Sequence, residues 1–461
     1  MALLSACAAE RAAESPVDAT ARDAPRPAIA ATIDAIAARA IAEVPIDSLS
    51  IAVLHGDEAV LARDYGTAGT PADATYRIGS ISKTITALAV LQLVEEGRIG
   101  LDDPISKYFP DALPAPDVTI GQMLRHTSGL ATHELAAVTQ WRERGVPITD
   151  DFVWKHVGSE PRLAPPGTAW NYASSNFHLL ALVVERVAGR GYEEHVVASI
   201  VSPLGLGSLT LCSGRPRAAS QPPDYFVDDG KLAPDPNWTL PGIGGAGGWC
   251  GSARDVARLV HATAHGKLLA PETVARMTAP TRIDGIEFGY GLGARLGLLD
   301  RYAKWGHTGG GAVGNRTVVA HYPHADLTIA VLANTEREDS TMTAMDIEAL
   351  VARAMLGLAP QVVVDEALPA DASRYEGVYA AGGRQTRVAR EGDLMMVSSV
   401  GSGSPPEAMQ YQGAHEFVPY REFPGYRFIF ATGGDRARAF STYDAGWFAG
   451  VRVRVAAKPG P

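Results

Sequence analysis

A serine and a lysine stand three residues apart at the start of an apolar stretch, where Ser80-Ile81-Ser82-Lys83 is followed by TITALAVLQLVEEG. One turn of helix brings the lysine amine beside the Ser80 hydroxyl, and the helix dipole favours negative charge at that end. A neutral amine could accept the hydroxyl proton and make Ser80 a nucleophile. The alternative is an ordinary solvated lysine in a first helical turn, and so short a pattern also arises by chance.

Two further segments carry residues suited to acyl transfer. Tyr172 precedes a helix-like stretch in PPGTAWNYASSNFHLLALVVERVAG; its phenol could act as a base beside Lys83, or it could simply cap a core with its hydroxyl in water. The run His307-Thr308-Gly309-Gly310 precedes a strand-like stretch. Its glycines would let a substrate lie against the backbone while an N–H donates to the substrate carbonyl, although glycine runs are also ordinary loops.

These three elements, in this order, resemble the motifs of the serine β-lactamase and penicillin-binding-protein superfamily. The stretches LDDPISKYFPD, TIGQMLRHTSGL and GGWCGSARDVARLV are similar to the subgroup of class C β-lactamases, DD-carboxypeptidases, D-aminopeptidases and related esterases. The resemblance covers about residues 30 to 357. It implies a covalent acyl-enzyme on Ser80, proton transfer by Lys83 and Tyr172, and an oxyanion hole formed by the N–H groups of Ser80 and Gly310.

The departures from the family pattern bear on the substrate. Ser174 stands where the family usually has the asparagine of its Tyr-x-Asn motif, and Asn176 follows two residues later. His307 replaces the lysine of the β-lactamase form, and a nearly neutral imidazole attracts a substrate carboxylate less. We therefore expect Ser174, Asn176, His307, Thr308 and Gly309 to contact substrate, and hydrolysis by a peptidase or an esterase. The alternatives are a class C-like β-lactamase, an acyltransferase or peptide cyclase, and a non-catalytic penicillin-binding receptor.

The composition of the chain limits the classes of molecule that it is expected to bind. The chain has 461 residues and a formal net charge of -10, which argues against nucleic acid and anionic membranes. No apolar run is long enough to span a bilayer. The remaining expectations are a small-molecule or peptide substrate, no cofactor and no metal site, since His321 and His324 flank a hairpin without further ligands in sequence.

The cysteines and the N-terminus suggest an exported protein. MALLSAC resembles a lipobox that would be lipidated at Cys7, although its upstream part is short for a signal. Cys212 and Cys250 then form an even pair that could be a disulfide or two free thiols, and we favour the disulfide. We thus expect a periplasmic or extracellular location, with a possible lipid anchor as the membrane contact.

The order of apolar patterns predicts an α+β fold. Residues 1–28 are predicted to be a signal remnant or flexible tether, and residues 29–360 a hydrolase domain of the β-lactamase/transpeptidase type. In this domain an antiparallel sheet is built from both ends of the segment, with helices flanking it and a helical subdomain inserted. Residues 364–461 show short alternating stretches broken by glycines, which predict a small β barrel or sandwich. This last unit resembles the lipocalin-like domain appended to some members of the superfamily.

Overall fold

The computed structural model describes most of the chain after residue 25. The described residues are 26–43, 46–66, 74–110, 117–133, 136, 149–228, 231–234, 244–310, 315–335, 342–360, 366–381, 384–419, 426–432 and 435–455. Within these ranges, no helix combines the length and the apolar character that crossing a membrane requires. Cys7 and almost all of the predicted tether lie outside the described residues.

The helices are concentrated between residues 82 and 277, with one more at each end of the hydrolase segment. In chain order they are α1 (Arg26–Glu43), α2 (Ser82–Glu95), α3 (Ile120–Leu124), α4 (Asp150–Ser159), α5 (Ser174–Ala188), α6 (Tyr192–Val196), α7 (Ser202–Leu204), α8 (Gly244–Gly247), α9 (Ala253–Ala264), α10 (Pro271–Met277) and α11 (Ala344–Met355). Short 3₁₀ turns cover Gly79–Ile81, Ile105–Lys107, Pro323–Ala325 and Ala372–Tyr375, and a π-helical turn covers Val197–Val201.

The strands fall into a first group and a C-terminal group. The first is β1 (Ser48–His55), β2 (Glu58–Gly66), β3 (Tyr76–Arg77), β4 (Thr210–Leu211), β5 (Tyr225–Asp228), β6 (Lys231–Pro234), β7 (Trp249–Gly251), β8 (Thr281–Ile283), β9 (Ile286–Phe288), β10 (Arg295–Leu299), β11 (Tyr302–Gly309), β12 (Arg316–Tyr322) and β13 (Leu327–Ala333). The second is β14 (Gly377–Ala381), β15 (Arg384–Glu391), β16 (Leu394–Ser399), β17 (Glu407–Tyr411), β18 (Glu416–Pro419), β19 (Arg427–Thr432), β20 (Ala437–Asp444) and β21 (Trp447–Arg454).

The hydrolase sheet joins strands from both ends of its segment, in the antiparallel order β10-β11-β12-β13-β1-β2. Successive side chains of a strand point to opposite faces, so each face can bury its own set. Ala52 and Leu54 of β1 pack in the core that holds α2, α5 and α9. Ile51 and Val53 pack in a second core with α1 and α11. The predicted assembly of this sheet is therefore confirmed.

The C-terminal strands form a closed antiparallel barrel of eight strands, because β14 also pairs with β21. Its core is rich in aromatic rings, including Tyr375, Phe417 and Phe430. The barrel is continuous with the hydrolase sheet, since Gly297 of β10 pairs with Trp447 of β21. The predicted domain boundary between 360 and 364 falls mainly on residues outside the described ranges and stays a prediction.

Cys212 and Cys250 are joined by a disulfide, which confirms that pairing. The bond joins Cys212, the residue after β4, to Cys250 in the middle of β7, and these two strands also pair. Closing a loop with a sequence separation of 38 residues restricts the unfolded chain, and this is worth about 4 kcal/mol in the chain-entropy account. The disulfide therefore stabilises the short sheet that adjoins the start of α2.

Candidate active site

Ser80 and Lys83 lie at the junction of a 3₁₀ turn and α2, as their spacing predicts. The Lys83 Nζ lies 3.0 Å from Ser80 Oγ, within hydrogen-bond distance. Lys83 is fully buried because α2 is apolar on nearly every side and its residues from Ser82 to Leu91 are all buried. Ser80 itself is half-buried, so its hydroxyl is open to a substrate while the amine behind it is not.

Three groups from distant segments surround the Lys83 amine. Its Nζ lies 3.3 Å from Ser174 Oγ and 2.8 Å from the carbonyl oxygen of Ala246. The ring centre of Tyr172 is 4.9 Å from the same nitrogen. The structure thus brings together the three residues predicted to be catalytic, and Ser174 contacts the lysine.

The oxyanion-hole prediction depends on how closely the loop before α2 approaches the end of β11. Gly79 has φ +51°, and a Cβ atom built on it would lie 2.9 Å from the backbone nitrogen of Gly310. A side chain at residue 79 would push the two segments apart. The Gly310 backbone nitrogen therefore lies beside the residue that precedes Ser80, and the pairing of the Ser80 and Gly310 N–H groups as two donors to a carbonyl oxygen stays a prediction.

His307 is fully buried. Its ring therefore does not face the open cleft, although a residue that contacts substrate would be expected to do so. Its Nδ1 lies 2.6 Å from the Thr308 carbonyl oxygen, which can only accept, and its Nε2 lies 2.9 Å from the Tyr290 hydroxyl. The Nδ1 must carry the proton and the tyrosine must donate to Nε2. Burial, together with Arg295 and Lys83, holds the pKa of His307 well below its usual range. His307 is a neutral positioning residue for the Thr308 backbone, and the predicted direct contact is wrong.

Asn176 also points away from the cleft. It is fully buried in α5, where its Oδ1 accepts from Ser128 Oγ at 2.7 Å and its Nδ2 lies 3.3 Å from His126 Nδ1. Residues two apart on a helix are rotated by about 200° from each other, so Ser174 and Asn176 cannot face the same group. The prediction that Asn176 contacts substrate is therefore wrong, and Asn176 anchors the turn that contains His126.

His126 lies in a tight turn beside the cleft and supports Tyr172. Its φ of 58° lies in the left-handed region, as a tight turn requires. Its Nδ1 accepts from the Ala173 backbone N–H at 3.1 Å, and the centre of its ring lies 4.3 Å from that of Tyr172, with the two planes tilted by 38°. The turn thereby sets the position of the Tyr172 ring over Lys83.

Three contributors were missed by sequence reasoning. Tyr290 binds His307, the Arg295 guanidinium lies 5.8 Å from the Tyr172 ring centre, and the Ala246 carbonyl accepts from Lys83. Gly245 allows the last contact, since a Cβ there would lie 2.6 Å from Ala181 Cβ. The only signal was the glycine run GIGGAGG, which indicates a close backbone approach and not its partner.

The geometry can be compared with known proteins. The family model described as Beta-lactamase matches residues 33–354, more than half of the chain. The chain belongs to the β-lactamase family. The chain is thus a serine hydrolase of that family, and the Ser80, Lys83 and Tyr172 cluster is its candidate catalytic centre.

Relatives of this β-lactamase family member span several activities. It is 30% identical over 323 residues to esterase EstB of Burkholderia gladioli, covering 59% of this chain and 82% of EstB. A D-stereospecific amidohydrolase from Streptomyces sp. is 27% identical with a TM-score of 0.61, over 72% of this chain and 99% of that one. A penicillin-binding protein homologue from Pyrococcus abyssi shares the fold at 21% identity and a TM-score of 0.64, over 91% and 99%.

Buried histidines of the hydrolase should make the protein less stable in acid. Burial lowers the pKa of His133 to about 3 and of His321 to about 4, and holds those of His126 and His307 well below 6.5. The unfolded chain binds these protons below about pH 6.5 and the folded chain does not, so stability falls as pH drops from 6.5 towards the folded values. Each such histidine lowers the free energy of unfolding by about 2 kcal/mol at pH 5, relative to its value at neutral pH.

Urea unfolding at pH 7.5 and pH 5.0 measures this loss. The His133→Asn variant removes one of the protons, so its stability should fall less between the two pH values than that of the parent. Equal stability of the parent at both pH values would contradict the buried, neutral state of these rings.

Proposed function

We propose that the protein hydrolyses carboxylic esters through an acyl-enzyme on Ser80. The observation that carries the proposal is the buried Lys83 amine, 3.0 Å behind a half-buried serine hydroxyl. A relative at 30% identity is an esterase. A receptor without turnover would have no need of the lysine and the tyrosine around that serine.

The contacts of Lys83 fit a neutral amine that accepts the serine proton. Such an amine has two N–H groups, which match the Ala246 carbonyl and the Ser174 hydroxyl, and one lone pair, which matches the Ser80 proton. Ser80 Oγ attacks the ester carbonyl as its proton passes to Nζ. The N–H groups of Ser80 and Gly310 hold the oxyanion, and each such donor contributes about 10²- to 10³-fold in rate.

Collapse of the tetrahedral intermediate breaks the bond to the alcohol. The proton returns to the departing alkoxide through Lys83 and Tyr172, whose ring lies 4.9 Å from the amine. Water then attacks the Ser80 ester, and the same groups accept its proton and return one to Ser80 Oγ. The products are the carboxylic acid and the alcohol, and the enzyme is regenerated.

The charges around the site discriminate among substrates. Arg295 is a cation beside the site: after burial it is the main cause of the low pKa of His307, and its guanidinium lies 5.8 Å from the Tyr172 ring centre. Such a cation repels a substrate that carries an ammonium group, whereas it does not oppose the binding of a neutral ester. We therefore place esters first and rank amides of free D-amino acids, which carry that ammonium, below them.

A second candidate is a carboxypeptidase activity. Arg295, 5.8 Å from the Tyr172 ring centre, could pair with the terminal carboxylate of a peptide. Efficient β-lactam hydrolysis is less favoured, because Ser174 contacts Lys83 and Asn176 is buried, so neither offers an asparagine amide to the substrate side chain. Transfer of the acyl group to an acceptor other than water remains the alternative outcome of the same intermediate.

The barrel borders the space where the acyl or alcohol part would lie. A cavity of about 860 Å³ has walls from the hydrolase segment, Trp170 and Phe288 among them, and from barrel residues such as Arg438 and Val451. The Trp170 ring centre is 6.3 Å from that of Tyr172, so the cavity adjoins the site without being lined by Ser80. We propose that this lipocalin-like unit selects the acyl group by the shape of that cavity.

A substrate panel tests the ranking. We expect kcat/KM for p-nitrophenyl butyrate to exceed that for D-phenylalanine amide, and that for nitrocefin, by at least about 100-fold, which corresponds to about 2.7 kcal/mol of transition-state binding. Comparable rates on the free D-amino-acid amide would overturn the ester assignment while leaving the acyl-enzyme intact.

The Arg295→Gln variant separates the two candidates. It should lower kcat/KM by about tenfold for an N-acyl-D-Ala-D-Ala peptide if the guanidinium binds its carboxylate, and much less for the neutral ester. Arg276→Gln, which removes an exposed arginine from α10, is the matched control. Peptide turnover that exceeds ester turnover, and that depends on Arg295, would favour the carboxypeptidase.

A further inference from the structure

A group of histidines lies outside the catalytic network. His261 and His265 are one turn apart at the end of α9, His321 lies near the end of β12, and Asp326 occupies the turn before β13. One potential ligand atom from each of His261, His321 and Asp326 lies within 4.8 Å of the others. The Nε2 of His265 is 3.2 Å from Asp326 Oδ1. The sequence-based argument that His321 lacks further ligands is therefore wrong, because α9 supplies them.

We propose that His261, His265, His321 and Asp326 bind one divalent transition metal ion of the Zn²⁺ type. Imidazole nitrogens with one carboxylate are a donor set that suits Zn²⁺, whereas Ca²⁺ and Mg²⁺ prefer oxygen ligands alone. Two ligand atoms on a tetrahedral zinc ion at about 2.0–2.1 Å are separated by about 3.3 Å. The distance from His265 Nε2 to Asp326 Oδ1 already matches this value, and the ligand atoms of His261, His321 and Asp326 need to approach one another by about 1.5 Å or less.

In two of the rings a hydrogen bond on Nδ1 leaves Nε2 to face the proposed metal position. The Nδ1 of His265 lies 2.9 Å from the His261 carbonyl oxygen, which can only accept, so Nδ1 carries the proton and Nε2 presents its lone pair towards Asp326. The Nδ1 of His321 lies 2.9 Å from Thr328 Oγ1, which leaves Nε2 for a metal. Such hydrogen bonds on the non-ligating nitrogen orient histidines in metal sites.

The proposed metal site is buried on one side and open to solvent on the other. His321 is buried and His261 largely so, while the side chains of His265 and Asp326 are about one third or more exposed, so an ion can enter from solvent. Asp326 adopts φ 47°, and its carbonyl oxygen accepts from the Gly56 backbone N–H at 2.8 Å. A bound ion would thus join α9, the β12–β13 turn and the adjoining β1–β2 turn, which is a structural role.

The competing explanation is a hydrogen-bonded cluster without metal. Asp326 would then pair with His265 alone, and His261 would face Asp57, whose Oδ1 lies 3.8 Å from its Nε2. This explanation predicts no binding of Zn²⁺ beyond weak surface association. The two explanations therefore differ in stoichiometry and in their response to substitution.

The experiment is a titration of the metal-stripped full chain with Zn²⁺ by calorimetry, and with Co²⁺ followed by its visible absorption. We expect one ion per chain, a tetrahedral Co²⁺ spectrum and a rise in Tm with Zn²⁺. The pair His261→Gln with His321→Gln should weaken binding at least 100-fold. His324→Gln, in the same turn but outside the cluster, should leave the affinity unchanged.

The double variant of His261 and His321 replaces buried side chains and could fail to fold. In that case the single variants Asp326→Asn and His265→Gln still test the proposal. Asparagine tolerates the left-handed backbone of residue 326, and His265 is exposed, so both variants should fold and bind Zn²⁺ at least about tenfold more weakly. Ester hydrolysis should be unchanged by metal removal. Binding of less than one ion per chain, or equal affinity in the parent and in all of these variants, would overturn the proposal.

Discussion

Ser80→Ala is expected to lower kcat/KM for an ester substrate by about 10⁴- to 10⁶-fold, the loss seen when a catalytic nucleophile is removed from a serine hydrolase. The reason is that Lys83, whose Nζ is 3.0 Å from Ser80 Oγ, then has no hydroxyl to activate. Initial rates with p-nitrophenyl butyrate measure the effect. The fold should be retained, because the substitution removes one half-buried hydroxyl.

Ser82→Ala is the matched control, one residue from Lys83 in the same turn. The Ser82 hydroxyl accepts from the Trp249 backbone N–H at 3.1 Å and is buried, so its loss affects stability and not the reacting atoms. We expect its kcat/KM to stay within about threefold of the parent, with a stability loss of about 1 kcal/mol. A large loss of activity in Ser82→Ala with a small loss in Ser80→Ala would reverse the assignment.

Glu348→Gln is expected to reduce the free energy of unfolding by about 3–5 kcal/mol, as breaking a fully buried ion pair does. Glu348 on α11 receives the Lys304 amine at 2.6 Å and the Trp447 indole N–H at 3.1 Å, and both charged side chains are fully buried. Without the carboxylate, the Lys304 ammonium is left among groups that do not balance its charge. Trp447 belongs to the barrel, so the loss should loosen the junction between the two units.

The double variant Lys304→Met with Glu348→Gln identifies the cause. Methionine removes the unbalanced charge, while the glutamine oxygen can still accept from the Trp447 N–H and the glutamine NH2 group can donate to the Tyr322 hydroxyl oxygen. We expect the double variant to be more stable than Glu348→Gln alone in guanidinium unfolding. Equal stability of the two, or a loss below 1 kcal/mol in the single variant, would show that the pair is not the main link between barrel and sheet.

The parts of the site that the sequence predicted are local in the chain. Ser80 and Lys83 are related by one helical turn, and the all-round apolar pattern of α2 implies the burial that keeps the amine out of water. Gly97, just beyond the end of this helix, has φ +69°, a left-handed conformation that glycine commonly adopts where a helix ends. Such features depend on neighbouring residues, and the spacing of residue types is enough to predict them.

The parts that it missed or misplaced depend on contacts between distant segments. Nothing near residue 290 in the sequence indicates that Tyr290 binds His307, or that both rings would be buried. Asn176 was assigned to the substrate because it follows Tyr172 closely, but α5 begins at Ser174 and its register turns Asn176 towards His126. Side chains two residues apart on a helix point in nearly opposite directions. The sequence motif alone does not show this, because it does not fix where the helix begins.

Contacts between distant segments also explain why the sequence does not predict the histidine cluster. His261 and His321 are 60 residues apart in sequence, and only the packing of α9 against β12 brings them together. The barrel, in contrast, could be predicted as a β unit from short alternating stretches, whereas its closure depends on the pairing of its first and last strands.

Trapping of the acyl-enzyme tests the central claim most directly. The parent protein is mixed with an excess of ester, quenched in acid within the first turnovers, digested and analysed by mass spectrometry. We predict an added acyl mass on the peptide that contains Ser80, at that residue, in the parent and in Ser82→Ala but not in Ser80→Ala. Ester turnover by Ser80→Ala at the parental rate, or an acyl group on any other residue, would contradict the mechanism.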